Sequence, residues 1–274
     1  MAAFADGPGG GNMAGVVLDA AGLDDTRMLQ IAKDLGYSET AFVTSPLDAG
    51  RRARIRFFSP GAEVPFCGHA TVATAAALAE RFGAGPFHID TPVGEIALET
   101  ADSAHGMEVS FTSVEPRVTE IEPAVLQRLL GLLSLDSGAL HRDYPARLSF
   151  AGNTHPTLVL GSAGVFEAFD FDAGALRELM DEQGWAGTVT VLRVISPTEF
   201  EARNLFPVGS IREDPATGSA AASTGAYLRA IGVVDAPAKV LIRQGRHVGR
   251  PSILRVSIPA SGGITVSGTA TQTA

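Results

Sequence analysis

The sequence predicts an α+β protein built from two similar halves, each with a mixed or antiparallel sheet and one long helix. Three observations predict it. First, Glu63-Val64-Pro65-Phe66-Cys67-Gly68-His69-Ala70 is echoed by Glu213-Asp214-Pro215-Ala216-Thr217-Gly218-Ser219-Ala220. The match continues at one constant offset through Thr74/Thr224, Ala76/Ala226 and Leu78/Leu228. A repeat of this kind governs the reading of every other motif. Second, each echo leads into a run of small residues, Val72 to Ala79 and Ala221 to Leu228, which suits a helix packed closely inside protein. Third, several strand-like segments follow one another without helical crossovers, which argues against an all-parallel sheet.

In the first half, Val16-Val17-Leu18 reads as a strand ended by Asp19-Ala20-Ala21-Gly22. Asp24-Asp25-Thr26 supplies capping side chains, and Met28, Ile31, Ala32 and Leu35 fall at helical spacing up to Gly36. Thr40 to Val43 is the next strand, which puts Ser38-Glu39 at a helix-to-strand junction. Arg54 to Phe58 alternates as a strand and stops at Pro60. After the first small-residue helix come short strands at Phe87 to Asp90, Gly94 to Glu99 and Met107 to Phe111. The boundary between halves falls near Ser113 to Glu122, where Pro116 and Pro123 lie close by. The expected domains are therefore 1–115 and 116–259, with a last strand in 260–274 returning to the first domain.

The second half repeats the order. Gly152-Asn153 leads to Leu158-Val159-Leu160 as Gly11-Asn12 leads to Val16-Val17-Leu18. Asp172 to Asp181 is an amphipathic helix, and Val189 to Val194 is a strand. Ala202 to Pro207 mirrors Ile55 to Pro60 at a slightly shorter offset, implying a small insertion before Glu213. Val240 to Arg243, Leu254 to Ile258 and Ile264 to Val266 close the chain as strands.

Bulk properties narrow the function. The 274 residues are 45% hydrophobic and 19% charged, the composition of a globular protein with ample core. A net charge of −9 argues against a general nucleic-acid or anionic-membrane surface. One cysteine allows no intrachain disulfide and fits a reducing, cytoplasmic compartment. No signal-peptide pattern is visible, and the longest uncharged apolar run, Ala70 to Ala79, is far shorter than the ~20 residues a bilayer needs.

Among the motifs, Gly9-x-Gly11-x-x-Ala14 is an incomplete dinucleotide pattern, and the β-like Gly15-Val16-Val17-Leu18 after it points to a turn instead. Gly68 and Gly218 at two helix starts let a ligand approach backbone N–H groups, where the helix dipole favours an anion. They equally suit tight helix packing. His69 and Ser219 are then first-turn hydrogen-bond donors. Asp214 is either a dipole-compensating carboxylate or the partner of an imidazole. Glu39 leads into a buried strand and loses part of its hydration, the setting in which a carboxylate serves as general base and then general acid; a plain helix-end residue would look the same. Cys67 reads as a buried structural thiol. The remaining histidines are scattered with no ligand spacing, so the sequence shows no metal site.

Ser38-Glu39-Thr40-Ala41-Phe42-Val43, Phe66-Cys67-Gly68-His69-Ala70-Thr71, Glu213 to Ala220 and the early Gly11-Asn12 occur together and in order. In this combination the chain resembles, over essentially its whole length, the PhzF-like isomerase family of phenazine biosynthesis. The resemblance implies a diaminopimelate epimerase-like fold, in which two like domains related by a pseudo-two-fold each wrap a curved sheet around a central helix, with the site in the cleft between them. It implies that Glu39 transfers the proton, that His69 and Asp214 support it, and that Gly68, Gly218 and Ser219 line the substrate carboxylate site. It also implies trans-2,3-dihydro-3-hydroxyanthranilate isomerase-like activity without metal or organic cofactor, on a small anionic substrate, in a homodimer. Met13 departs from the family, which often has proline there.

Three functions follow for testing. The first is a cofactor-independent isomerase using Glu39. The second is an amino- or imino-acid racemase or dehydratase using Cys67, for which a second thiol opposite it is missing at Thr217. The third is a non-catalytic small-acid-binding protein.

Overall fold

The computed structural model describes residues 1–208 and 211–273. The chain divides into two compact units, Met1–Thr112 with Ser267–Ala274, and Ser113–Val266.

The first unit contains β1 (Ala2–Ala3), β2 (Asn12–Val17), α1 (Asp25–Leu35), β3 (Glu39–Val43), β4 (Arg52–Phe58), β5 (Glu63–Val64), α2 (Gly68–Phe82), β6 (Gly85–Thr91), β7 (Gly94–Ser103) and β8 (Gly106–Thr112). Helix α1 begins where the Asp24 carboxylate accepts from the Arg27 N–H, and ends at Gly36 in the left-handed conformation. β2 runs parallel to β3, β3 antiparallel to β4, β4 parallel to β6, and β6, β7 and β8 continue antiparallel. β5 is a short hairpin return on β4. β1 pairs with β2 on one side and with the chain's last strand on the other, Ala2 opposite Thr271.

The second unit contains β9 (Arg117–Glu120), α3 (Pro123–Leu132), β10 (Arg147–Phe150), β11 (Thr154–Leu160), α4 (Ala163–Ala168), α5 (Ala173–Glu182), β12 (Val189–Ser196), β13 (Glu199–Val208), β14 (Ile211–Asp214), α6 (Gly218–Ala230), β15 (Ala238–Gln244) and β16 (Ser252–Ile258), followed by β17 (Thr265–Thr271), which passes into the first unit. Its ladders repeat those of the first. β10 and β11 are antiparallel, β11 and β12 parallel, β12 and β13 antiparallel, β13 and β15 parallel, and β15 and β16 antiparallel. β14 is the hairpin return on β13, as β5 is on β4. The small insertion expected before Glu213 includes Gly209 and Ser210, which lie outside the described residues.

Each unit is thus α+β and sheet-dominated, with one helix buried almost all round. α2 touches β1, β2 and β3 and also β7 and β8, strands from both ends of the ladder order, so the sheet curves about it. α6 is held in the same way by β9, β10, β11 and β16. Small residues permit this. A Cβ added at Gly225 would stand 2.8 Å from both Ile264 Cγ2 and Val256 Cγ1. Thr71 and Thr74 of α2 do not carry stray hydroxyls into the core, since they donate to the Cys67 and Ala70 carbonyls at 2.8 and 2.7 Å. A separate apolar cluster in the second unit packs α3, α4 and α5 against β11, β12 and β13 around Leu129, Phe166, Leu176, Met180 and Trp185.

Three details differ from the sequence reading. Residues 113–122, read as connecting chain, contain β9, and Pro123 opens α3 with Glu122 capping two N–H groups. Helix α4 was not foreseen. The final strand begins at Thr265 and runs to Thr271 rather than spanning Ile264 to Val266.

Candidate active site

Four side chains converge on the His69 imidazole in the first unit. Glu39 opens β3, and its Oε2 lies 3.4 Å from His69 Nε2. Ser38 Oγ lies 3.4 Å from the same nitrogen. On the far side of the ring, Asn12 at the start of β2 donates from Nδ2 to His69 Nδ1 at 3.1 Å. That bond makes Nδ1 the acceptor and leaves the ring proton on Nε2, directed to Ser38 and Glu39. Cys67 Sγ sits 3.4 Å from Nδ1 and 3.7 Å from Nε2. His69 is buried, with 8% of its side chain exposed, whereas Glu39 keeps 20%. The carboxylate is therefore the group that a ligand from solvent can reach, and the imidazole is its fixed neighbour.

Local structure explains the convergence. Cys67 is the N-cap of α2 in extended conformation, and its side chain makes no capping hydrogen bond to the helix. Gly68 and His69 are the first helical residues, at the end where N–H groups lack intrahelical acceptors. β2 and β3 are parallel neighbours with Ala14 opposite Glu39, which brings Asn12 and Glu39 to the same end of the two strands.

The second unit builds the same corner from different residues. Thr217 caps α6, again without a side-chain bond to the helix. Its hydroxyl instead donates to Asp214 Oδ2 at 2.5 Å, while Gln244 Nε2 donates to the Asp214 carbonyl at 2.6 Å. Gly245 holds this loop close: at φ 79° a Cβ there would stand 2.5 Å from the Pro215 carbonyl oxygen. Carrying the Glu63/Glu213 match back through the ladders sets Thr188 in the place of Glu39 and His155 in the place of Ala14. An imidazole stands beside each helix start, but it comes from the helix in one unit (His69) and from the strand in the other (His155).

His155 is completely buried, and burial pushes its pKa down to about 4, so the ring is neutral near pH 7. Nδ1 lies 3.0 Å from both the Thr188 amide nitrogen and the Thr188 carbonyl oxygen, and 3.1 Å from Thr188 Oγ1, whose own hydrogen goes to Asn204 Oδ1. Nε2 lies 3.0 Å from Ser219 Oγ, so the ring links β11 to the first turn of α6.

Of the residues singled out in the sequence, the structure brings Glu39, Gly68 and His69 together in the first unit. Asp214, Gly218 and Ser219 stand around the second helix start in the other unit. Sequence reasoning missed Asn12, Cys67 and His155 as neighbours of these groups. His155 lies two residues beyond Gly152-Asn153, the partner of Gly11-Asn12 in the repeat, and that was the available signal. The sequence also showed no metal-ligand spacing, yet ligand atoms of Glu39, Cys67 and His69 all lie within 4.8 Å of one another. The three donors come from two separate elements, so linear spacing does not reveal them.

The paired sheet-and-helix units define the diaminopimelate epimerase-like class of fold. Within it, the chain belongs to the phenazine biosynthesis-like (PhzC-PhzF) family, whose model matches residues 1–274. It is 34% identical over 265 residues to an uncharacterized isomerase of Mesorhizobium japonicum, covering 92% of this chain and 87% of that one. It is 31% identical over 254 residues to the trans-2,3-dihydro-3-hydroxyanthranilate isomerase of Pseudomonas chlororaphis, covering 92% and 86%. A solved structure of a predicted epimerase from Pseudomonas aeruginosa superposes with a TM-score of 0.84 at 27% identity, over 98% of this chain and 93% of that one. The name isomerase, shared by the sequence relatives, agrees with the enzyme class expected from the residues. No helix among the described residues is long and apolar enough to cross a membrane.

Proposed function

We propose that the protein is a cofactor-independent isomerase that moves a proton within a small carboxylate-bearing substrate, in the manner of trans-2,3-dihydro-3-hydroxyanthranilate isomerase. Glu39 takes a proton from one carbon and returns it at another on the same face. One carboxylate serves both steps, so the enzyme ends each turnover in its starting state. His69 donates its Nε2 hydrogen toward Glu39 and holds the carboxylate in place. Gly68, Gly218 and Ser219 bind the substrate carboxylate through helix-start N–H groups and a hydroxyl, and Asp214 supports proton transfer. The form expected is a cytoplasmic homodimer.

The observation that carries this reading is the Glu39–His69 pair: a partly exposed carboxylate held 3.4 Å from a buried imidazole. Proton transfer needs hydrogen-bond reach, and this pair has one member open to ligand and one fixed. The missing second thiol weighs against a two-thiol racemase, because the place of Cys67 is taken by Thr217 in the repeat. The test supplies trans-2,3-dihydro-3-hydroxyanthranilate and a panel of small unsaturated and amino carboxylates to the purified chain with no added cofactor. Turnover that is lost in Glu39→Gln and kept in Cys67→Ala supports the proposal. Turnover lost in Cys67→Ala and kept in Glu39→Gln replaces it with the racemase reading, and binding without proton exchange on any member of the panel favours the non-catalytic one.

A further inference from the structure

We propose that Glu39, Cys67 and His69 form a binding site for a soft divalent cation, Zn²⁺ by its donor chemistry, and that the bound ion inhibits the enzyme. The inhibitory half rests on the proposed role of Glu39; the binding half does not.

The three residues supply a carboxylate oxygen, a thiol sulfur and an imidazole nitrogen, all within 4.8 Å. With Zn–N and Zn–O near 2.0–2.2 Å and Zn–S near 2.3 Å, ligands on a tetrahedral ion stand roughly 3.3–3.7 Å apart. Glu39 Oε2 and His69 Nε2 are 3.4 Å apart, and Cys67 Sγ and His69 Nε2 are 3.7 Å apart. Two edges of the tetrahedron are therefore already at ligand spacing. Sγ lies near both ring nitrogens and so stands to one side of the Nε2 lone pair. Taking up an ion requires a turn of Cys67 about its Cα–Cβ bond.

The surroundings match the needs of a zinc ligand set. When Nε2 binds the ion, the ring proton moves to Nδ1 and needs an acceptor. Asn12 is already 3.1 Å from Nδ1, and rotating its amide presents Oδ1 there, the outer-shell contact typical of ligating histidines. A thiolate and a carboxylate together neutralise a 2+ ion, which offsets the unfavourable positive end of α2. Thiolate and imidazole favour Zn²⁺ over Mg²⁺ or Ca²⁺, which prefer oxygen-only sites. Three protein ligands leave one position open to water, and a carboxylate bound to the ion no longer has its lone pairs available for a substrate proton.

The experiment uses the full chain, stripped with chelator and titrated with Co²⁺ as a spectroscopic stand-in for Zn²⁺. The expected result is a sulfur-to-cobalt charge-transfer band that saturates at one ion per chain and is bleached by Zn²⁺. Cys67→Ala loses the band and weakens Zn²⁺ by more than the roughly 10–100-fold that loss of an outer-shell partner costs. Glu39→Gln keeps the band with weaker binding. Circular dichroism confirms that each variant is folded. Absence of the band in the unsubstituted chain, or equal Zn²⁺ affinity in folded Cys67→Ala, overturns the proposal. The two readings fail separately. A band with no loss of turnover under Zn²⁺ leaves the site standing and overturns inhibition through Glu39. No band, with turnover still lost in Glu39→Gln, leaves the acid/base role standing and overturns the site.

Discussion

Lowering the pH should destabilise this protein through one buried group, His155, by an amount the structure defines. The ring is completely buried, and its folded-state pKa is about 4 against 6.5 for an exposed histidine. The folded pKa is depressed, so His155 is neutral in both states above pH 6.5 and contributes no pH dependence there. Below 6.5 the unfolded chain gains a proton that the folded chain refuses. Stability falls at about 1.4 kcal/mol per pH unit until pH 4, where the folded ring also protonates. The full loss over that window is about 3 kcal/mol, of which about 2 is reached by pH 5. The assay is urea unfolding of the unsubstituted chain and of His155→Gln at pH 7.5, 6, 5 and 4.5. Carboxylates and the other histidines titrate in both proteins and cancel in the difference. Whatever stability the substitution removes at pH 7.5, the gap between the two proteins should narrow by about 2 kcal/mol at pH 5. A gap that stays constant with pH would refute the buried, neutral His155 with its depressed pKa.

Other substitutions test the packing and the site. Gly225→Ala forces a methyl to 2.8 Å from Ile264 and Val256, so overpacking of about 1–3 kcal/mol should exceed the helix-propensity gain of about 1, and Tm should fall. Gly131→Ala, on the exposed side of α3 with nothing within 4 Å, should instead raise Tm slightly. Arg203→Met should cost about 3–5 kcal/mol in urea unfolding with m unchanged. It strands the largely covered Glu213 carboxylate and removes the donor bonded to the Phe166 and Phe169 carbonyls at 3.1 and 3.0 Å. Cys67→Ala should retain isomerase turnover, which a lone-cysteine racemase mechanism would not survive.

Much of this fold was legible because its strongest signals are local. Asp24 and Gly36 bracket α1, and both caps form as the residue types require. The echo of Glu63 to Ala70 in Glu213 to Ala220 identified both central helices, because a helix enclosed by a sheet must be made of small residues. Pro123 was read as a break, but proline at the first helical position is also a helix start, and Glu122 before it supplies the cap. The site was legible in part. Glu39, Gly68 and His69 were visible as motif residues. Asn12 was visible as part of the Gly11-Asn12 motif but not as a partner of His69, and His155 was not singled out at all, because strand residues meet a helix start only after the sheet has curved. The exchange of Ala14 and His69 for His155 and Ser219 keeps the place of an imidazole while changing which chain segment carries it, and single-residue motif matching is blind to that.

The central claim is that Glu39 alone carries the proton. It is tested most directly by incubating the protein in D₂O with trans-2,3-dihydro-3-hydroxyanthranilate and reading deuterium at each product carbon by NMR and mass spectrometry. Product formation by the unsubstituted chain, with deuterium at the reprotonated carbon to the extent that the Glu39 proton exchanges with solvent before its return, lost in folded Glu39→Gln and kept in Cys67→Ala, is the predicted result. Undiminished incorporation in Glu39→Gln would contradict the account.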